Sequence, residues 1–136
     1  MTWWKRMLKT DGPTLDAAVG AQLRTLNEAH SVAFGGVGFA SAILPETEAY
    51  FALEERIAQY GAALRPRLET MIVKATPAGR VYAAELLTRV DREVGEAAWR
   101  RLSTDHEALG TYSGCLAYQT TVADYAAQRL AGDARA

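Results

Sequence analysis

The segment from Thr76 to Leu102, TPAGRVYAAELLTRVDREVGEAAWRRL, constrains the fold most, because it predicts two helices joined by almost no loop. Thr76 offers a hydroxyl as an N-cap, and Pro77 stands at the first helical position, where its missing N–H costs nothing. Asp91 is placed to cap the second helix. The apolar residues that recur with helical spacing are Gly79, Tyr82, Ala83, Leu86, Leu87, Val90, Val94, Ala98, Trp99 and Leu102. They predict the buried faces, and they leave Glu85, Thr88 and Arg89 on the solvent face.

Four further helices follow from similar stripes and start signals. The predicted helices run from Pro13 or Thr14 to about His30, from Pro45 or Glu46 to Tyr60, from Leu64 to Ala75, and from Thr120 or Thr121 to about Leu130. Gly61 is expected to end one helix or to mark a tight turn, and Pro66 argues that the next helix becomes regular at about that residue. In the last helix Val122, Ala123, Ala126 and Leu130 are expected to face inward. Because single residues separate the helices near 64–75, 77–90 and 92–103, neighbouring helices must turn steeply.

Length and charge predict one helical domain spanning residues 1–136, with 1–12 as an N-terminal flap or short helix and 131–136 as a frayed tail. A chain of 136 residues is long enough for a core without staples. The net charge of −1 gives no global attraction to nucleic acid or membrane. No apolar run of transmembrane length and no secretory signal is present, and the single cysteine fits a reducing cytosol, so we expect a cytoplasmic protein. Trp3 and Trp4 could touch a membrane, but a flap that closes over the core is favoured.

Two segments interrupt the helical pattern. Residues 31–45, SVAFGGVGFASAILP, carry Gly35, Gly36 and Gly38, but their spacing matches no phosphate-binding motif. A buried, tightly packed crossover is the favoured interpretation, since glycine allows close backbone approach. Residues 105–119 lose helical periodicity and are predicted to form a loop with a short extended piece around Leu116 to Tyr118.

Candidate chemistry is sparse. Asp105, His106 and Glu107 are adjacent, so their side chains diverge and cannot chelate a metal as a set, and the favoured interpretation is a polar turn. Cys115 could be a nucleophile only beside a base such as His106, and a small buried residue is the favoured interpretation. We therefore expect no catalytic residue, no metal site and no cofactor.

Residues 64–103 resemble bacterial HEAT-type helical-hairpin proteins. The stretches that carry the resemblance are TPAGRVYAAELL and VGEAAWRRL, in which Gly79, Ala83, Ala84 and Ala98 occupy places where helices cross closely in such folds. The resemblance implies a compact irregular all-α bundle of five to seven helices with HEAT-like hairpins. It also implies that the protein acts through its surface rather than by catalysis.

The leading functional hypothesis is a non-enzymatic protein–protein interaction module, in one version a bacterial inhibitor or immunity-type protein that masks a partner. The outward arginines Arg80, Arg89, Arg92 and Arg100 are the candidate partner-binding residues, because guanidinium groups favour bidentate contacts to carboxylates. An acidic protein is the expected partner, since interleaved acids argue against nucleic acid. The alternative is a small enzyme or small-ligand-binding protein with a pocket lined by segments 31–45 and 105–119, including Tyr112, Cys115, Tyr118 and His106.

Overall fold

The protein is mostly helical, and a small β-hairpin is set between its last two helices. The computed structural model describes residues 15–38 and 40–132. Within them the helices are α1 (Ala17–Asn27), α2 (Pro45–Glu55), α3 (Ile57–Lys74), α4 (Pro77–Val90), α5 (Arg92–Leu102) and α6 (Val122–Leu130). Strands β1 (Ala108–Ser113) and β2 (Leu116–Thr121) form an antiparallel pair. The predicted helical class is confirmed, and a small sheet is added to it, because two strands occupy most of the segment predicted as a loop with a short extended piece.

Side-chain caps start the helices close to where the sequence predicts. The Thr76 hydroxyl accepts a hydrogen bond from the Gly79 N–H, and the Asp91 carboxylate accepts from Glu93 and Val94. Asp16 caps α1 by accepting from the Val19 N–H, which holds the pKa of Asp16 below its ordinary value. These bonds satisfy N–H groups that the first turn of a helix leaves without partners.

Helix α4 lies at the centre of the fold and packs against α1, α2, α3, α5, α6 and β1. All residues from Ala78 to Leu87 except Arg80 are buried. Gly79 lets α1 approach α4 closely, because a Cβ at this position would lie 2.5 Å from the Leu26 carbonyl oxygen. Gly95 plays the same part where α5 crosses α4, since an added Cβ would collide with the backbone of Thr88.

The boundary between the second and third helices differs from the prediction. The chain breaks at Arg56 rather than at Gly61, and α3 runs through both Gly61 and Pro66. Gly61 is buried, and a Cβ there would make only ordinary contacts with Val90 and Ile57. Proline removes the hydrogen bond to the carbonyl four residues earlier, which belongs to Ala62. Ala62 and Pro66 are both exposed, so water can solvate that carbonyl and the helix continues.

Four sequence-based expectations concern the N-terminal flap, the C-terminal tail, the buried face of α6 and membrane-spanning helices. The predicted flap of residues 1–12, with Trp3 and Trp4, lies outside the described residues, as do residues 133–136 of the predicted tail. In α6, Val122, Ala123 and Ala126 are buried as predicted, whereas Leu130 is 38% exposed and faces solvent. In the part of the chain that the structure describes, no helix has the length and apolarity needed to cross a bilayer.

Candidate interaction surface

The β-hairpin is built around a tight turn at Gly114 and Cys115. Its register places Ser113 opposite Leu116 and Leu109 opposite Thr120. Gly114 has a φ of +59°, and Cys115 does not share this left-handed region. A positive φ at only the first central residue is the pattern of a type II′ turn, which suits glycine and matches the right-handed twist of paired strands. The segment predicted as a loop with a short extended piece around Leu116 to Tyr118 is therefore a hairpin, and the predicted extended piece lies in β2.

The hairpin is attached to the helical body through Val32. The Val32 N–H donates to the Gly110 carbonyl at 2.9 Å, and the Tyr112 N–H donates to the Val32 carbonyl at 2.9 Å. Val32 thus forms a short parallel bridge with β1. Leu109 is 1% exposed and anchors the same strand in the core.

Two buried hydroxyl groups hold the neighbouring residue, Ala33. The Tyr82 hydroxyl accepts from the Ala33 N–H at 2.8 Å and donates to its carbonyl at 3.0 Å. The Thr47 hydroxyl donates to the same carbonyl at 2.8 Å. Burial raises the pKa of Tyr82 to about 12, so its hydroxyl stays protonated at neutral pH. The Tyr82 hydroxyl, on the central helix α4, therefore fixes the backbone of Ala33, next to the residue that bridges to the hairpin.

Segment 31–45 is buried at Val32 and Ala33, but its described residues from Gly35 to Ile43 are exposed or partly exposed, so the predicted buried crossover is wrong for most of the segment. Gly35 and Gly38 are exposed, and Val37 pairs with Ala42 across a small antiparallel bridge. Glycine is required at position 36, where a Cβ would lie 2.7 Å from the Ser41 carbonyl oxygen, and at Gly38, which has a φ of +70°. The Gly38 N–H donates to the Gly114 carbonyl at 3.2 Å, so the segment reaches the tip of the hairpin.

Segments 31–45 and 108–121 share an absence of charge. Neither contains Asp, Glu, Lys or Arg, although 31 such residues occur in the chain, 15 basic and 16 acidic. Together they display the large apolar side chains Ile43, Tyr112, Leu116 and Tyr118, which are 50%, 38%, 59% and 50% exposed. We call these two segments the uncharged surface. Exposed aromatic side chains in a charge-free setting are typical of the central part of protein interfaces.

A cleft of about 410 Å³ opens between the hairpin, Val32 and α6. Its lining residues are Val32, Phe34, Thr111, Tyr112, Ser113, Tyr118, Thr120, Tyr125 and Gln128. Phe34 is held at its base by edge contacts with Tyr50 and Tyr82, at ring-centroid distances of 5.0 and 5.5 Å. The cleft thus combines aromatic rings with several hydroxyl groups and one amide.

The residues named for the alternative pocket come together only in part. The structure brings segment 31–45 to Tyr112 and Tyr118 around the cleft, but neither Cys115 nor His106 lines it. The prediction that Cys115 is buried is wrong, because the thiol sits in the exposed hairpin turn. The sequence pattern does not indicate Tyr125 and Gln128, since only the path of α6 brings them there.

The polar connection before β1 consists of Asp105, His106 and Glu107. The sequence does not indicate that Asp105 and Glu107 share Arg80 as a partner. Arg80 donates to Asp105 at 2.6 Å and to Glu107 at 3.1 Å, while His106 is exposed. Among the described residues no cluster of three or more His, Cys, Asp or Glu side chains could hold a metal ion.

The arginines predicted to bind a partner are not equivalent. Arg80 is turned inward with 15% of its side chain exposed, whereas Arg89, Arg92 and Arg100 are 52%, 88% and 68% exposed. Burial alone lowers the pKa of Arg80, but its hydrogen bonds to Asp105 and Glu107 raise the pKa above its ordinary value. Arg80 therefore holds the connection before β1 to the start of α4.

Each of the more exposed arginines also has an acid within reach. Arg89 lies 3.4 Å from Glu54, and both Arg92 and Arg100 lie within 4 Å of Glu96, at 3.8 and 3.5 Å. An acidic partner would compete with these carboxylates, which reduces the gain from binding. Their role in partner binding stays a prediction.

Glu85 corrects one assignment of a helix face. The spacing of apolar residues places it on the solvent face of α4, but it is 3% exposed and accepts a hydrogen bond from Arg129 at 2.5 Å. Arg129 also lies over the Trp99 ring, 5.6 Å from its centroid. Because Arg129 is 44 residues away in sequence, no local pattern shows that this carboxylate is buried.

No protein-family model, no curated protein and no solved structure matches this sequence. The resemblance to HEAT-type hairpin proteins therefore stays a prediction.

Proposed function

We propose that this protein is a non-enzymatic protein–protein interaction module and that it binds its partner through the uncharged surface. The observation that carries the proposal is the convergence of two charge-free segments, about 70 residues apart in sequence, on one exposed region. Contact between them is direct, through Val32 with β1 and Gly38 with Gly114. Solvent-exposed aromatic and aliphatic side chains gain free energy when a partner removes them from water.

The fold does not need the exposed side chains of this surface. Leu116 is 59% exposed and Tyr118 is 50% exposed, so each leaves about half of its area in water. Their removal should therefore leave folding nearly unchanged, as is usual for surface positions. This separation allows a clean test, because loss of binding would not follow from loss of structure.

The cleft indicates the chemistry of the partner. Its walls include the rings of Phe34, Tyr118 and Tyr125, together with the hydroxyl groups of Thr111 and Thr120. An aromatic or branched aliphatic side chain would bury apolar area there, whereas a charged group would lose its hydration without a compensating ion pair. We therefore expect an uncharged, apolar segment of the partner to dock here. The inhibitor or immunity version of the hypothesis would use the same surface.

The decisive experiment compares two exposed apolar positions of similar exposure. A photo-crosslinking amino acid at Leu116 should trap the partner in native cells, while one at Val73, which is 50% exposed on α3, should not. In co-purification, Leu116→Lys should abolish recovery of the trapped protein and Val73→Lys should retain it, with unchanged thermal stability in both variants. Equal recovery with both variants, or equal loss, would rule out the uncharged surface as the binding site.

Salt dependence separates this proposal from binding through Arg89, Arg92 and Arg100. Binding by an uncharged surface should change little as ionic strength rises, since apolar burial is not screened. Binding through exposed arginines should weaken steeply, and substitution of those arginines by Ala should remove that dependence. A steep loss with salt would favour the arginine hypothesis.

The volume of the cleft favours one second candidate, the binding of a small uncharged ligand. A cleft of about 410 Å³ falls within the size range of small-molecule sites, about 300–1,000 Å³. Under this hypothesis a screen of uncharged aromatic compounds should find one that raises the melting temperature. The effect should be lost in Phe34→Ala and kept in Leu116→Lys, whose side chain does not line the cleft. Absence of any stabilising compound would disfavour it.

A further inference from the structure

The outer edge of β2 is an open row of backbone hydrogen-bonding groups. In a strand, the N–H and C=O of one residue point to the same side and successive residues alternate. Gly110 and Tyr112 point toward Val32, as their hydrogen bonds show. Thr111 therefore points toward β2, where its partner is Tyr118. It follows that Ala117 and Gln119 direct their N–H and C=O groups away from β1.

Nothing in the described part of the chain covers this edge. The sheet contains two strands, and no further strand within residues 15–38 and 40–132 pairs with β2. Residues 116–119 are all exposed. Natural proteins protect such edges with lysine, proline, bulges or covering loops. The sequence of β2, LAYQTT, contains no charge, no proline and no glycine.

We propose that a second copy of this chain pairs with β2 through a two-fold axis and joins the two hairpins into one four-stranded sheet. The inference rests on the proposed function of the uncharged surface as an interface, and it names one occupant of its edge. A closed dimer requires the same patch on both copies. An antiparallel β2–β2 contact meets this requirement, because both edges are uncharged and no like charges oppose each other.

One register pairs both outward residues of each copy. Ala117 and Gln119 are the residues that point outward, and a two-fold axis at Tyr118 pairs both of them within the exposed residues 116–119. Ala117 of each copy then faces Gln119 of the other, and each such pair exchanges both of its N–H···O bonds. Tyr118 then lies opposite Tyr118 of the second copy, in a pair without mutual hydrogen bonds. Such pairs bring side chains closest, and two aromatic rings stabilise the contact.

The proposed dimer also extends the uncharged surface. Tyr118 and Leu116 share one face of the hairpin, as residues two apart in a strand do. In the four-stranded sheet, these residues from both copies lie on the same face across the axis. The two clefts would then flank a continuous apolar strip formed by Tyr118 and Leu116 of both copies.

Cysteine crosslinking tests the register directly. In a Cys115→Ser background, Tyr118→Cys should form an intermolecular disulfide under mild oxidation, because Cα atoms in a pair of this type lie about 4.5 Å apart. The matched controls are Ala117→Cys and Gln119→Cys. In the proposed register, neither residue lies opposite the same residue of the second copy, so the two Cα atoms would be more than about 7 Å apart. We expect both controls to crosslink at least about tenfold more slowly. Equal rates for all variants, or fastest crosslinking in a control, would overturn the inference.

Sedimentation of the unmodified chain gives a second test. The wild-type protein should show a concentration-dependent dimer, and Ala117→Pro should weaken it at least about tenfold by removing an outward N–H while sparing the bonds to β1. A wild-type chain that stays monomeric at all accessible concentrations would overturn the inference. If partner binding nevertheless requires Leu116, the proposed function survives and only the dimer fails. A dimer that binds its partner equally well after Leu116→Lys would instead support the dimer and refute the proposed function.

Discussion

Replacement of Tyr82 by Phe tests how the helical body holds the uncharged surface. The change removes one buried hydroxyl and leaves the Ala33 N–H without its acceptor, while the Ala33 carbonyl keeps the hydrogen bond from Thr47 at 2.8 Å. A buried donor left without a partner costs about 1–3 kcal/mol. We therefore expect the free energy of unfolding to fall by that amount.

Thr47→Val is the matched control. It removes a hydroxyl from the same carbonyl, but Tyr82 still donates to that oxygen at 3.0 Å and still accepts from the Ala33 N–H. Its cost should be below about 1.5 kcal/mol, the upper end for an ordinary hydrogen bond. The double variant leaves both backbone groups of Ala33 without these partners, so its cost should exceed the sum of the single costs.

Urea unfolding and amide hydrogen exchange measure these effects. For a chain of 136 residues, each kcal/mol should lower the melting temperature by about 3–5 °C. The Ala33 amide should exchange faster in Tyr82→Phe and little faster in Thr47→Val. If Thr47→Val costs as much as Tyr82→Phe, or if the two costs simply add, the reasoning from an orphaned N–H is refuted.

Three further predictions concern titration, close packing and a buried ion pair. Burial raises the pKa of Tyr82 from 10.0 to about 12. The contribution of Tyr82 to the free energy of unfolding is therefore complete below pH 10 and falls by up to about 3 kcal/mol as the pH rises through 12. Alkaline unfolding curves should show a smaller loss of stability in Tyr82→Phe. Gly95→Ala should lower the free energy of unfolding by about 1–3 kcal/mol, because the added Cβ would collide with α4. Gly20→Ala is the control, since its added Cβ would have no atom within 4 Å, and it should stabilise α1 by about 0.5–1 kcal/mol. Urea titrations measure both changes. Glu85→Gln should cost about 1–3 kcal/mol because Arg129 keeps its charge in a 20% exposed site, and a double-mutant cycle with Arg129→Met should show that part of this loss is recovered. If the stability losses of the two single variants simply add in the double variant, a direct interaction between Glu85 and Arg129 would be contradicted.

The positions of the helices follow largely from local chemistry. Thr76, Pro77 and Asp91 predict the start of α4 and α5, because an N-cap acts within three residues of its own position. The buried stripe of Leu64, Leu68, Met71 and Ile72 likewise follows from helical spacing. Gly61 and Pro66 lead to a wrong boundary, since their effect on a helix depends on whether water reaches the backbone around them.

The uncharged surface is only half visible in the sequence. The amino-acid sequence itself shows that segments 31–45 and 108–121 contain no charged residue. The Ser113–Gly114 step between strand-forming residues is also a turn signal. That the two segments touch depends on Val32 reaching β1 and on Tyr82 holding Ala33 from 49 residues away. No periodicity connects residues at that separation.

The sequence alone therefore determined the helical class, the caps and the apolar stripes, because propensity and capping act over a few neighbouring residues. Tertiary structure alone decided that Glu85 is buried against Arg129, that Arg80 turns inward to Asp105, and that Cys115 is exposed. Each of these outcomes depends on a partner, or on the absence of one, brought by distant parts of the chain. The outward edge of β2 belongs to the same class, because only packing in three dimensions shows which side of a strand the described residues leave uncovered.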